Sequence, residues 1–317
     1  MISLQELLQA RTRISAHITH TSLTYDAAQK VYIKWENQQV TGSFKARGAL
    51  NKVLSLSDHE REAGLVAASA GNHGQGLALA AKITAAPVEV FVSESAADVK
   101  VQAMRAMGAS IHVVSGGYPQ AESAGRAYAQ QHGKTWVSPY NDAQVVAGQG
   151  TIGLELQEDL SENTVAWLIP VSGGGLIVGI GLSIREQAKR PRLIGVQAEA
   201  SPFMHSLFYH DTQKNVPDLP SLADGLTGEV EDNALTIPLV KQLVNEIVLV
   251  SEKEIAHAMA YAWRAHGQKI EGSGAVGLAA VLSGKVTVRP LAVVVSGGNV
   301  GEDVLTGILD RFSGETQ

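Results

Sequence analysis

The chain has 317 residues, 45% hydrophobic and 18% charged, a soluble globular balance with room for two domains or one large α/β unit. Its net charge of −6 contains no basic run, which argues against nucleic acid or an anionic membrane as partner, and the lack of cysteine excludes disulfides, thiol nucleophiles and thiolate metal sites. The N-terminal Met-Ile-Ser-Leu-Gln-Glu-Leu-Leu is not a signal peptide and no apolar run approaches the roughly 20 residues of a membrane span, so a cytoplasmic protein is expected. In chain order, Val31-Tyr-Ile-Lys-Trp35 alternates like a strand. It is followed by strand candidates Gly64-Leu-Val-Ala-Ala-Ser69, Val88-Glu-Val-Phe-Val92 and Ile111-His-Val-Val114. Helical spacing over residues 76–83, 96–107 and 121–131 separates and follows them. Val165-Ala-Trp-Leu-Ile-Pro-Val171 comes next, then a helical stretch over 177–189 and strands Leu193-Ile-Gly-Val-Gln197, Ile247-Val-Leu-Val250 and Leu291-Ala-Val-Val-Val295. Alternating helices and nearly continuous apolar strands indicate parallel sheets covered on both faces. Residues 201–227, with Pro202, Pro217 and Pro220, read as a short helix and a long loop.

Glycine makes up 32 of the 317 residues, about a tenth against a usual ~7%, and it clusters where strands end. Lys45 lies in Thr41-Gly-Ser-Phe-Lys-Ala-Arg-Gly48. Most lysines near glycines are solvated surface residues. One held out of water loses its proton readily and attacks carbonyls, including the aldehyde of pyridoxal phosphate. Ser69-Ala-Gly-Asn-His-Gly-Gln-Gly76 precedes a helical pattern. There Asn72 offers an amide donor for a phenolate-like oxygen, and backbone N–H groups could hold a carboxylate. His73 suggests a base, but no orienting acid is visible, so a structural role at the helix start is the expectation. Ser172-Gly-Gly-Gly-Leu176 opens a helix after the strongest strand, which suits a phosphate. A dinucleotide site stays open here too, because Glu199 ends the next strand where a ribose-binding acid would fall. Ser296-Gly-Gly-Asn299 puts a hydroxyl at a strand's C-terminal end, as a turn or as a neutral partner for a ring nitrogen. Glu271 is an isolated acid in a glycine-rich turn. There is no G-x-S-x-G elbow and no HExxH spacing, so a serine hydrolase is set aside and no metal site is expected.

Taken together, these segments resemble the fold-type II pyridoxal-phosphate enzymes, in the threonine/serine dehydratase and serine racemase branch. The resemblance runs through Lys34-Trp-Glu-Asn37, residues 41–48, 69–76, Ala147-Gly-Gln-Gly-Thr151, residues 170–179, Ala223-Asp-Gly225, 271–275 and 296–299. It implies a tryptophan synthase β-subunit-like fold, two interleaved three-layer αβα domains with open, mostly parallel twisted sheets. Residues 1–60 and 145–317 would form the large cofactor-binding domain, and 61–144 a small mobile one that carries the substrate carboxylate. The resemblance makes Lys45 the Schiff-base lysine and base, and sets Phe44 against the ring of pyridoxal 5'-phosphate. Asn72 would meet the ring oxygen, Gly173, Gly174, Gly175 and Leu176 the phosphate, and Ser296 the pyridine nitrogen. Gly225 and Glu271 would line the cofactor site. Ser69, Ala70, Gly71, Asn72 and His73 form the loop that would hold the substrate carboxylate.

Three departures bear on activity. Ala70 stands where serine racemases place a second acid/base serine, which favours elimination over racemisation. Ser172 replaces the first glycine of the usual phosphate loop, and the segment Ala-Ser-Pro-Phe-Met-His205 after Glu199 lacks the acids of metal-binding relatives. The expected activity is β-elimination, L-threonine or L-serine giving a 2-oxo acid and ammonia, by a degradative enzyme that is a homo-oligomer, dimer or tetramer. The alternatives are a dehydratase for another β-hydroxy amino acid (a 3-hydroxyaspartate, phenylserine or a hydroxyectoine-breakdown product) and a serine racemase. His73 argues against replacement lyases of cysteine synthesis, and Lys45 against a non-catalytic binding protein.

Overall fold

The computed structural model describes residues 2–160 and 164–312. The chain runs α1 (Leu4–Ile14), β1 (Leu23–Asp26), β2 (Val31–Trp35), α2 (Lys45–Ser55), α3 (Asp58–Ala63), β3 (Leu65–Ala68) and α4 (Asn72–Thr84). It continues through β4 (Val88–Ser93), α5 (Asp98–Ala106), β5 (Ser110–Val114), α6 (Tyr118–Gln131), β6 (Thr135–Trp136) and α7 (Ala143–Asp159). Then follow β7 (Ala166–Pro170), α8 (Gly175–Ile184), β8 (Arg192–Ala198), α9 (Phe203–His210), α10 (Thr236–Leu243), β9 (Glu246–Val250), α11 (Glu252–His266), α12 (Gly272–Leu282), β10 (Leu291–Val295) and α13 (Glu302–Arg311).

Two sheets form, one six-stranded in the order β1-β2-β10-β7-β8-β9 and one four-stranded in the order β5-β4-β3-β6. All pairings are parallel except that of β1 with β2. Every residue of β3, β7 and β10 is buried, because helices cover both sheet faces; this is why these strands read as unbroken apolar runs. The α/β class expected from the sequence is the one observed. Strands β1 and β6 escaped the sequence pattern. The first is a largely exposed edge containing Thr24 and Tyr25, and the second has only Thr135 and Trp136. Helix α8 stops at Ile184 rather than at 189, because residues 186–190 are exposed and have no apolar surface to cover.

Glycine sets how the central helices meet. A Cβ on Gly148 of α7 would lie 2.6 Å from the Arg47 carbonyl and 2.7 Å from the Gly48 Cα of α2. On the other side of α7, a Cβ on Gly150 would lie 2.7 Å from the Gly179 carbonyl of α8. Helices α2, α7 and α8 therefore touch backbone to backbone. Next to this contact is a buried charge network. Arg47 donates to Glu36 Oε2 and Oε1 at 2.8 Å each and to Glu155 Oε1 at 2.5 Å, while Lys34 meets Glu155 Oε2 at 2.8 Å and donates to the Thr21 carbonyl at 2.7 Å. The network ties β2, α2 and α7 together through Arg47, two residues after Lys45.

Candidate active site

The glycine-rich segments around Lys45, Asn72, Gly225, Glu271 and Ser296, spread over some 250 positions in the sequence, converge by direct hydrogen bonds. Phe44 N–H donates to the Ser296 carbonyl at 3.0 Å, and Gly298 N–H to the Gly42 carbonyl at 2.9 Å, so the turn before α2 lies along the C-terminal end of β10. Glu271 N–H donates to the Gly297 carbonyl at 3.1 Å, which brings in the start of α12. Asn72, the first residue of α4, donates through Nδ2 to Glu271 Oε1 at 2.6 Å, and Asn299 Nδ2 donates to Asn72 Oδ1 at 2.8 Å. Gly225 N–H donates to Ser273 Oγ at 3.0 Å, and the buried Ser296 hydroxyl lies 3.4 Å from the Ser273 carbonyl.

Lys45 opens α2, with only part of its surface exposed. Its Nζ donates to the Pro139 carbonyl at 3.0 Å and lies 5.2 Å from the Phe44 ring centroid. Burial pulls its ammonium down to a pKa of about 8, against the opposing charge of Glu271. Burial and then the charge of Asp224 raise the Glu271 carboxyl to about 7.

Pro139 leads directly into Tyr140, whose ring packs on the second glycine-rich turn. A Cβ on Gly173 would come within 2.4 Å of that ring, and one on Gly175 would lie 3.0 Å from the Tyr140 Cβ. Gly174 has φ +86°, a left-handed value that a side chain rarely adopts, and it begins α8 with no side-chain cap. The first N–H groups of α8 therefore lack both an intrahelical partner and a capping side chain, an arrangement made for an anion. Thr236 at the start of α10 fixes the turn by donating from Oγ1 to the Gly173 carbonyl at 2.6 Å.

The loop before α4 divides its labour. Ser69 Oγ accepts from Gly71 N–H at 3.2 Å, and Ala70 is partly buried against the core of the four-stranded sheet. The His73 side chain is buried, and its Nε2 donates to the Val137 carbonyl at 2.9 Å. Burial and the nearby charge of Lys45 hold its pKa at about 3, so the imidazole stays neutral. Glu199, the candidate ribose-binding acid, instead faces Lys285 Nζ at 3.2 Å. Among the described residues no three His, Cys, Asp or Glu side chains gather as a metal site.

Residues 11–297 match the family described as pyridoxal-phosphate dependent enzyme. The chain belongs to that family. It is 39% identical to the L-threonine ammonia-lyase of Thermotoga maritima, covering 98% of this chain and 79% of that protein. It is 38% identical to a catabolic L-threonine dehydratase of Staphylococcus aureus, covering 98% and 93%. Among solved structures, maize serine racemase superposes with a TM-score of 0.90 at 27% identity, covering 98% of each chain. The cofactor of this pyridoxal-phosphate enzyme is thus established, and the dinucleotide reading of the Ser172–Leu176 turn falls away.

The residues present suit that cofactor. An uncapped helix N-terminus behind glycines that tolerate no Cβ can take a phosphate, and a partly exposed lysine lies within reach of the adjoining loop. Sequence reasoning missed Thr236. A threonine outside any glycine motif carries no signal until the fold brings it to the turn.

Proposed function

We propose that this enzyme is an ammonia-lyase that converts L-threonine or L-serine to a 2-oxo acid and ammonia by β-elimination. The observation that carries the reading is Lys45, an amine held near a pKa of 8 beside the Pro139 carbonyl, on the turn that lies along the end of β10. The names of the two curated relatives support it, and so does Ala70, which offers no proton-carrying group opposite the lysine.

When bound, pyridoxal phosphate supplies the electron sink that acidifies the substrate Cα–H bond and lets the β-hydroxyl leave. Lys45 accepts the Cα proton at Nζ; with a pKa of about 8, roughly a tenth of it is free amine at pH 7, against less than a thousandth for an ordinary lysine. Gly173, Gly174, Gly175 and Leu176 would hold the phosphate through backbone N–H groups, and Phe44 would pack beside the ring. The second Nδ2 hydrogen of Asn72 would serve the ring oxygen. Ser296, 2% exposed, would give the ring nitrogen an uncharged partner. Backbone N–H groups from Ser69 to His73 orient the substrate carboxylate, and Gly225 and Glu271 close the wall beside them. Residues 61–144 act as the small domain that shuts over the substrate. All strands of the four-stranded sheet lie within that range, and the pairs Lys100–Asp224 (3.3 Å) and Arg126–Glu231 (2.7 Å) bridge it to the remainder. A cytoplasmic location is part of the same proposal. No helix among the described residues is long and apolar enough to cross a membrane. Assembly as a homodimer or tetramer is checked by light scattering.

The test is release of 2-oxo acid and ammonia over a panel of β-hydroxy amino acids. L-threonine or L-serine should head the panel, and Lys45→Ala should abolish turnover. Faster D-serine formation than ammonia release from L-serine would overturn the assignment.

A further inference from the structure

Asn299 has a side-chain geometry that the glycine-turn motif around it does not explain. Its Nδ2 donates to two carbonyl oxygens at once, Thr41 O and Asn72 Oδ1, each at 2.8 Å. Its Oδ1 points the other way, toward Gly42, where a Cβ would come within 2.3 Å of it. Turning this amide over would set its oxygen against two acceptors, so its orientation is fixed. That in turn fixes its neighbour. With Asn72 Oδ1 engaged by Asn299, the Asn72 amino group must face the opposite way, where one hydrogen goes to Glu271 Oε1 at 2.6 Å. The second hydrogen is left for a ligand.

We propose that Asn299 is a positioning residue that locks the Asn72 amide so that an N–H, and never the carbonyl, is presented to the cofactor's ring oxygen. The inference rests on the reading of Asn72 as a cofactor contact. Three separate segments take part: Thr41 before α2, Asn72 on α4 and Asn299 beyond β10. The lock therefore forms only when the turns of both sheets have come together.

The experiment compares cofactor-loaded wild type with Asn299→Leu, Asn299→Asp, Asn72→Ala and the double variant Asn72→Ala/Asn299→Leu. The readouts are the rate of cofactor release on dialysis and the balance between visible and near-ultraviolet absorbance. A carboxylate at 299 is nearly isosteric but cannot donate, so Asn299→Asp keeps the packing and turns Asn72 over. Asn299→Leu and Asn299→Asp should each weaken cofactor retention about tenfold, the loss of one well-oriented hydrogen bond, and should change the absorbance balance as Asn72→Ala does. In the Asn72→Ala background, Asn299→Leu should add nothing. Additive effects in the double variant, or wild-type spectra in both Asn299 variants while Asn72→Ala is altered, overturn the positioning role alone. An unaltered Asn72→Ala overturns the cofactor contact and the inference with it.

Discussion

Replacing Lys45 by methionine should make the cofactor-free protein more stable. The cleft holds the amine at a pKa of about 8 against an ordinary 10.5, a difference equivalent to about 3 kcal/mol between the charged and neutral forms. Part of the side chain remains exposed, and water screening lowers the expected cost to about 1–3 kcal/mol. The sign follows from proton binding. Between pH 8 and 10.5 the unfolded lysine holds a proton that the folded one has lost, so wild-type stability rises with pH across this window. Lys45→Met, of similar length and uncharged, lacks that rise. Urea unfolding of both cofactor-free proteins at pH 7 and at pH 10.5 measures it. The variant should lead by about 1–3 kcal/mol at pH 7, and the gap should narrow toward zero at the higher pH. A variant no more stable than wild type at pH 7, or a gap independent of pH, would refute the burial of the amine as the cause.

Arg47→Met should cost about 3–5 kcal/mol in urea unfolding, since it takes from Glu36 the buried guanidinium at 2.8 Å and strips Glu155 of one cation. Thr236→Val keeps the shape but deletes the 2.6 Å bond to the Gly173 carbonyl; cofactor affinity measured by equilibrium dialysis should fall about five- to tenfold. Glu271→Gln removes the charge that supports the Lys45 ammonium, so the pH midpoint for acylation of Lys45 in the cofactor-free protein should move below about 8, measured by peptide mapping. Lys100→Ala breaks a partly exposed pair with Asp224, which should raise KM by no more than about fivefold and leave kcat unchanged in steady-state assays.

The sequence disclosed much of this molecule because its chemistry depends on backbone. Strands β2 and β10 matched their expected bounds residue for residue: the alternation of β2 stops at the polar Glu36-Asn-Gln38, and the apolar run of β10 ends at the Ser296–Asn299 turn. The same turns pointed to Lys45, Asn72 and Ser296, and the structure links their segments by hydrogen bonds. Thr236 could not be found this way. It acts by bonding to a main chain distant in sequence, and a threonine is not unusual where it stands. The Ala147–Thr151 segment was legible as a pattern without a reason; the reason is the approach of α7 to α2 and α8, visible only once three helices are placed.

That approach has a consequence for tolerance to change. The lysine rides on the first turn of α2 and the glycine turn proposed to hold the phosphate on the first turn of α8, and both helices lean on α7 at Gly48–Gly148 and Gly150–Gly179. A helix pair separated by side chains can repack by a few tenths of an ångström, but bare backbones in contact have no such slack. Helix α7 thus serves as a gauge block between two jaws that must match a rigid molecule of fixed length. One methyl group at Gly148 or Gly150, remote from any reacting atom, would reset the gap.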